Sequence, residues 1–208
     1  MECHKCTTNC HNRGSKKKSS VLKWWRQPQQ LSTIESEKSP KIALVGMPNV
    51  GKSVLFNALT GAYVTVSNYP GTTVEVSRGE MLFGGYRLAV VDTPGMYSLL
   101  PITEEEKVAR DLLLSEPVDV VIHVLDAKNL VRMLSLSFQL IEAGLPVLLA
   151  INMMDEAQQL GIQIHREHLE RELGVPVVTM AAALNIGLME LKEKVCEYVK
   201  SGCLSGAN

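Results

Sequence analysis

The sequence predicts an α/β fold built on a mostly parallel, six-stranded sheet with one antiparallel edge strand and helices on both faces. Three observations carry that expectation. From Lys41 onward, short apolar runs alternate with longer segments of helical period, the pattern of strands joined by crossover helices. Gly84-Gly85 separates two strand-like runs, which signals a hairpin and hence an antiparallel pair. The most apolar runs, Val118–Leu125 and Pro146–Met154, are broken by Asp119, His123 and Asn152. They suit buried strands and fall well short of the roughly 20 residues that cross a bilayer.

The elements follow in order. Lys41-Ile-Ala-Leu-Val45 reads as a strand ending in a glycine loop, and Val54–Gly61 continues as a helix stopped by its glycine. Val74–Phe83 and Tyr86–Val91 form the two arms of the hairpin. Thr103–Ser115 reads as a helix, with Glu104, Glu105 and Glu106 placed where a helix N-terminus favours negative charge. Val118–Leu125 and Pro146–Ile151 are expected to be buried strands, flanking a helix over Asn129–Ala143 that Gly144 ends. A helix around Arg166–Leu173, a strand over Val175–Thr179 and an amphipathic helix over Leu188–Val199 complete the set.

The chain has 208 residues, room for one domain of ordinary size and a tail. Its net charge of −1 argues against a nucleic-acid binder, but the total conceals a split. Residues 1–40 hold eight Lys/Arg against three Asp/Glu, whereas the remainder holds thirteen against nineteen. We therefore expect a flexible basic tail over 1–40, a folded domain over 41–200 and a short tail over 201–208. Within the first tail, Val21-Leu-Lys-Trp-Trp-Arg26 places both tryptophans beside cations. That segment suits either a stretch docked on the domain or an interfacial anchor at a membrane. Cys3, Cys6, Cys10 and His11 form a cluster that could bind Zn²⁺ or ferrous iron, or could be a reduced thiol-rich tail. Five cysteines without a paired framework, and no signal peptide, point to a soluble cytoplasmic chain.

The chemistry concentrates in three motifs. Gly46-Met-Pro-Asn-Val-Gly-Lys-Ser53 is a complete GxxxxGK[ST] loop between a strand and a helix. In that context Gly46, Gly51 and the following backbone N–H groups cradle phosphates, Lys52 reaches the β- and γ-phosphates, and Ser53 ligates Mg²⁺. Val50 and Val54 complete the nucleotide-contacting stretch. Asp92-Thr-Pro-Gly95, about 40 residues on at the end of the second hairpin strand, supplies a carboxylate for Mg²⁺. The Gly95 N–H would meet the γ-phosphate. Asn152-Met-Met-Asp155 follows a buried strand; the Asp155 carboxylate can accept two hydrogen bonds from guanine, a pair adenine cannot offer. A plainer reading makes Asn152 and Asp155 helix caps. Between the first two motifs, Asn68–Glu75 suits a switch loop, with Thr73, or alternatively Thr72, completing the Mg²⁺ shell when γ-phosphate is present. The order and spacing are those of a P-loop NTPase of small-GTPase type, with GTP or GDP as ligand.

GMPNVGKS, NYPGTTVE, DTPGMYS and NMMD together resemble the cytosolic G domain of the FeoB family of ferrous-iron transporters, over roughly residues 41–199. NYPGTTVE is the most discriminating piece. The resemblance implies that Thr73 is the switch threonine and that Met153, in place of the usual lysine, is normal for the family. It also implies that Asn49 helps hold a K⁺ ion, and that a backbone N–H near Ala182 contacts the base. Met96 follows Gly95 where other GTPases carry a water-orienting glutamine. Hydrolysis is therefore expected to be slow and K⁺-stimulated, with Asn49, Lys52, Thr73 and Gly95 as its catalytic groups.

The function implied is GTP-dependent regulation of ferrous-iron uptake. It would act at the inner face of the cell membrane, on a permease in cis or in trans, with self-association left open and no nucleic acid as partner. The alternatives are a stand-alone GTP-dependent switch of the ribosome- or RNA-maturation kind, and a metal-sensing module using the Cys/His tail.

Overall fold

The structure, a computed structural model, describes residues 39–61 and 64–205, with side chains to residue 200. The Cys3/Cys6/Cys10/His11 cluster and the tryptophan segment lie outside the described residues. The strands are β1 (Lys41–Val45), β2 (Val64–Asn68), β3 (Glu75–Phe83), β4 (Tyr86–Asp92), β5 (Val120–Asp126), β6 (Val147–Asn152) and β7 (Val177–Thr179). They form one sheet in the order β2-β3-β4-β1-β5-β6-β7. The helices are α1 (Lys52–Thr60), α2 (Glu104–Ser115), α3 (Leu130–Glu142), α4 (Met154–Gln159), α5 (Arg166–Leu173) and α6 (Leu188–Ser205).

The α/β sheet is mostly parallel with its antiparallel pairing at one edge, as the sequence predicts, but it has seven strands among the described residues rather than six. The additional strand is β2, which pairs antiparallel with β3. Its Val-Thr-Val-Ser alternation is strand-like, yet all five residues are exposed. The burial that makes a strand conspicuous in a sequence is therefore missing. The β3–β4 hairpin turns at Gly84-Gly85 with φ of +59° and +84°, the left-handed backbone that a two-residue hairpin loop of the primed type needs.

β5 and β6 are buried along their whole length and form the centre of the core with β1. Full burial of side chains such as Leu44, Ile122 and Leu148 contributes roughly 1.5–3 kcal/mol each. Helix α2 starts with a reciprocal cap: the Glu106 N–H donates to Thr103 Oγ1, while the Glu106 carboxylate accepts from the Thr103 N–H. Beyond its other end, Glu116 accepts from Lys41 Nζ at 2.6 Å and Arg78 Nη2 at 3.0 Å, joining β1, β3 and the end of α2. Burial works against this carboxylate's charge, but hydrogen bonds from Arg78 and Lys41 outweigh it and hold the pKa below the ordinary value. Helix α6 runs past the expected end at Val199 to Ser205. Among the described residues, no helix is long and apolar enough to cross a membrane.

The sheet order also fixes where a ligand can sit. β1 has β4 on one side and β5 on the other, so the connections diverge there and open a crevice at the carboxyl ends of the strands. Register places Leu44 beside Asp92, Val45 beside His123 and Asp126 beside Asn152. The three motifs thus converge on one edge.

Candidate functional site

The loop from Gly46 to Gly51 joins β1 to α1 and is held from beneath by close packing. A Cβ on Gly46, whose φ is +151°, would lie 2.4 Å from the Val124 carbonyl oxygen, so no other residue fits without displacing β5. Lys52 opens α1, is buried, and donates from Nζ to the Met47 carbonyl at 3.0 Å. Burial lowers its pKa, with Asp92 pulling the other way. Asn49 stands exposed at the loop's tip with φ +65°.

Across from Lys52, Ser53 Oγ donates to Asp92 Oδ2 at 2.8 Å. The second oxygen, Asp92 Oδ1, is buried without a hydrogen-bond partner. Burial raises the Asp92 pKa, partly offset by the Ser53 hydrogen bond and the Lys52 charge. A hydroxyl, an anionic oxygen and an unpartnered buried oxygen make a hard-oxygen donor set, the kind that suits Mg²⁺. These residues therefore fit that ion.

The segment after Asp92 is pinned to β1: Thr93 Oγ1 donates to the Leu44 carbonyl at 2.8 Å, and the Met96 N–H donates to the Gly46 carbonyl at 3.1 Å. A Cβ on Gly95 would fall 2.7 Å from Pro48 Cγ, so the glycine is what lets this loop lie against the phosphate loop. Met96 is fully buried. It cannot reach solvent, which places it outside any role in orienting water. An apolar cleft of about 480 Å³ opens beside these residues, walled by Pro48, Gly95, Tyr97 and Ile102. A larger cleft of about 1090 Å³, against α1, β2 and β3, contains none of the motif residues.

The expected base motif divides its labour. Asn152 is buried, and both ends of its amide are used internally: Nδ2 donates to the Val50 carbonyl at 3.0 Å, and Oδ1 accepts from the Ala182 N–H at 2.9 Å. It therefore ties the phosphate loop to the Ala181–Ala183 turn, leaving Asp155 as the partly exposed carboxylate of the pair. Neither residue caps α4, whose N-cap is Met153 at φ +62° without a side-chain bond. The Ala182 N–H, expected to face a base, is occupied by Asn152. Glu156, next to Asp155, pairs with Lys128.

The switch-loop threonines differ. Thr72 Oγ1 donates to the Tyr69 carbonyl at 3.0 Å and accepts from the Val74 N–H at 3.2 Å. Thr73 is exposed. The loop thus commits one hydroxyl to its own turn and presents the other. Val50 is buried in the core beneath the loop, whereas Val54 is half exposed on α1.

Glu106 is a contact that motif reading missed. Its carboxylate accepts from the N–H groups of Tyr97 (3.1 Å), Ile102 (2.8 Å) and Thr103 (3.3 Å), binding the Asp92–Gly95 loop's continuation to α2. The Ile102 bond chiefly holds its pKa low, against burial, with help from Tyr97 and Thr103. The Thr103-x-x-Glu106 capping pattern was visible in the sequence; the loop contacts were not.

Residues 40–195 match the family model described as Ferrous iron transport protein B. The chain belongs to the FeoB family. It is 44% identical over 156 residues to the Fe(2+) transporter FeoB of Legionella pneumophila (strain Paris), covering 73% of this chain and 21% of that protein. The chain thus spans about a fifth of the length of that curated FeoB relative. Among solved FeoB structures, the apo cytosolic domain of the T. maritima iron transporter superposes with a TM-score of 0.75 at 45% identity, covering 77% of this chain and 64% of that one. The FeoB G-domain from Methanococcus jannaschii superposes at 0.69 with 44% identity, covering 78% of this chain and 98% of that domain. The T. maritima FeoB domain is also solved in GDP and GMPPNP forms.

Proposed function

We propose that this chain is a GTP-binding and GTP-hydrolysing domain that regulates ferrous-iron passage through a FeoB-type permease, carried in cis or in trans at the inner face of the membrane. The observation that supports it most directly is the buried, unpartnered Asp92 Oδ1 beside Ser53 and Lys52. A buried carboxylate oxygen with no protein hydrogen-bond partner, beside a hydroxyl and a lysine at a phosphate loop, is chemically suited to accept a cation. The relatives add the ligand class, since the T. maritima FeoB domain carries GDP in one form and GMPPNP in another.

In this reading the loop N–H groups and α1 hold the phosphates, and Asp155 selects guanine. Lys52 exchanges the Met47 carbonyl for the β- and γ-phosphates. Ser53, Asp92 and Thr73 would hold Mg²⁺, which neutralises phosphate charge when bound. Gly95 presents its N–H to the γ-phosphate. Since Met96 is buried, no side chain at that position activates water, and turnover is slow without an added positive charge. Asn49, exposed at the loop tip, would share in holding K⁺ there.

The test is GTP hydrolysis by the purified chain in K⁺ and in Na⁺, alongside Asn49→Ala. Faster turnover in K⁺, abolished by the substitution, supports the proposal. Equal rates in the two salts, or stimulation that survives Asn49→Ala, would overturn the K⁺ assignment. Failure to bind either GDP or GTP would overturn the whole reading.

A further inference from the structure

Residues 96–103 have no regular secondary structure and follow directly on Gly95. Their backbone is held at three places. Met96 donates to the Gly46 carbonyl, and Glu106 of α2 takes the N–H groups of Tyr97, Ile102 and Thr103. The third anchor comes from a different helix: Gln139 of α3 accepts, at the single oxygen Oε1, from the Leu99 N–H at 2.7 Å and from Ser98 Oγ at 3.1 Å. Ser98 Oγ in turn accepts from the Leu100 N–H at 3.0 Å. One amide oxygen therefore orders three consecutive residues, and Leu99 packs against the core beside it.

We infer that Gln139 is a positioning residue for γ-phosphate sensing, the anchor through which α3 holds the loop carrying Gly95. The inference rests on the guanine-nucleotide reading above. Met96 and Leu99 bracket the loop's first turn, one fixed to the phosphate loop and the other to α3. Removing the second fixed point frees Ser98–Leu100, so that beyond Gly95 the loop keeps only the Met96 bond and the Glu106 bonds to Tyr97, Ile102 and Thr103. The loss falls on interactions made with the γ-phosphate and spares those made with base, α- and β-phosphates, which other elements supply. Movement of this loop on triphosphate binding would also pull on α3, so α3 belongs to the switching apparatus.

The chemistry required of position 139 is an acceptor at the right length, which allows a direct test. Gln139→Met keeps length and removes the acceptor; Gln139→Glu keeps both. Affinities for mant-GDP and mant-GMPPNP, and kcat and KM for GTP, are measured on the full chain, with melting temperature alongside. The expected result for Gln139→Met is unchanged GDP affinity, with the GMPPNP:GDP affinity ratio and kcat each down roughly tenfold, the scale of losing one or two hydrogen bonds. Gln139→Glu should behave as wild type. The inference is overturned if Gln139→Met keeps the wild-type ratio and kcat, if it weakens GDP and GMPPNP alike, or if Gln139→Glu is as impaired as Gln139→Met. Wild-type protein that binds neither nucleotide would instead overturn the guanine-nucleotide reading on which this one stands.

Discussion

Asn152 and Asp155 lie three residues apart, yet they do different work. Asn152 spends its whole amide on Val50 and Ala182, so replacing it would loosen the phosphate loop and the Ala181–Ala183 turn together. Asp155 makes no comparable internal side-chain hydrogen bond among the described residues, and its substitution should fall on base recognition, in both selectivity and affinity. Asp155→Ala is expected to erase the preference for GDP over IDP, which lacks the exocyclic amine, while lowering GDP affinity by about 10²-fold. Competition between the two diphosphates for a fluorescent nucleotide measures both. The residue types and spacing of these motifs were legible in the sequence because phosphate and metal chemistry allow few substitutes. The division between Asn152 and Asp155 was not, because it depends on which backbone groups the fold brings within 3 Å. Glu106 and Gln139 escaped for the same reason: a side chain that serves loop amides from another helix leaves no spacing to read.

At the scale of elements, the hydrophobic period revealed every strand with a buried face, and β5 and β6 most plainly. β2 was lost because it has no buried residue, and α4 because six residues carry too little period to stand out. The start of α2 shows how a cap can serve two purposes. Thr103 Oγ1 satisfies one orphan N–H, and the same turn carries the Glu106 carboxylate that holds Tyr97 and Ile102. Thr103→Ala should cost about 1 kcal/mol, as the loss of such a cap usually does. In a domain of this size that lowers the melting temperature by roughly 2–4 °C. Calorimetry at pH 7 checks it, and an unchanged transition would show the cap to be idle.

The whole molecule places a histidine where a charge cannot be tolerated. His123 lies in the central strand β5, fully buried, its Nδ1 sharing a hydrogen bond of 2.9 Å with Ser137 Oγ while Nε2 has no hydrogen-bond partner. Burial, and secondarily the nearby Lys52 charge, push its pKa down to about 3 from 6.5. Between those values the unfolded chain binds a proton that the folded chain refuses, so stability is full above the unfolded pKa and declines as pH falls. From pH 7 to pH 5 the loss from this residue is about 2 kcal/mol. Asp92, with its pKa raised, works with the opposite sign over its own range. Denaturant unfolding should therefore show a shallower pH dependence for His123→Asn than for wild type, and equal slopes would remove His123 as the cause.

The two loops proposed to face the nucleotide are also unequally supported at this scale. The one after Gly95 is moored to the phosphate loop, α2 and α3, so moving it disturbs three elements. The one at Asn68–Glu75 continues directly from a strand whose five residues are all exposed, so peeling that strand from its neighbour forfeits ladder hydrogen bonds to water and little hydrophobic free energy, the loop's own apolar anchorage being Val74 and Tyr69. The first loop is a stiff lever and the second a slack one. Hydrogen exchange would see the slack side open many times for each excursion of the stiff side, and the protein would spend its binding energy where the resistance is.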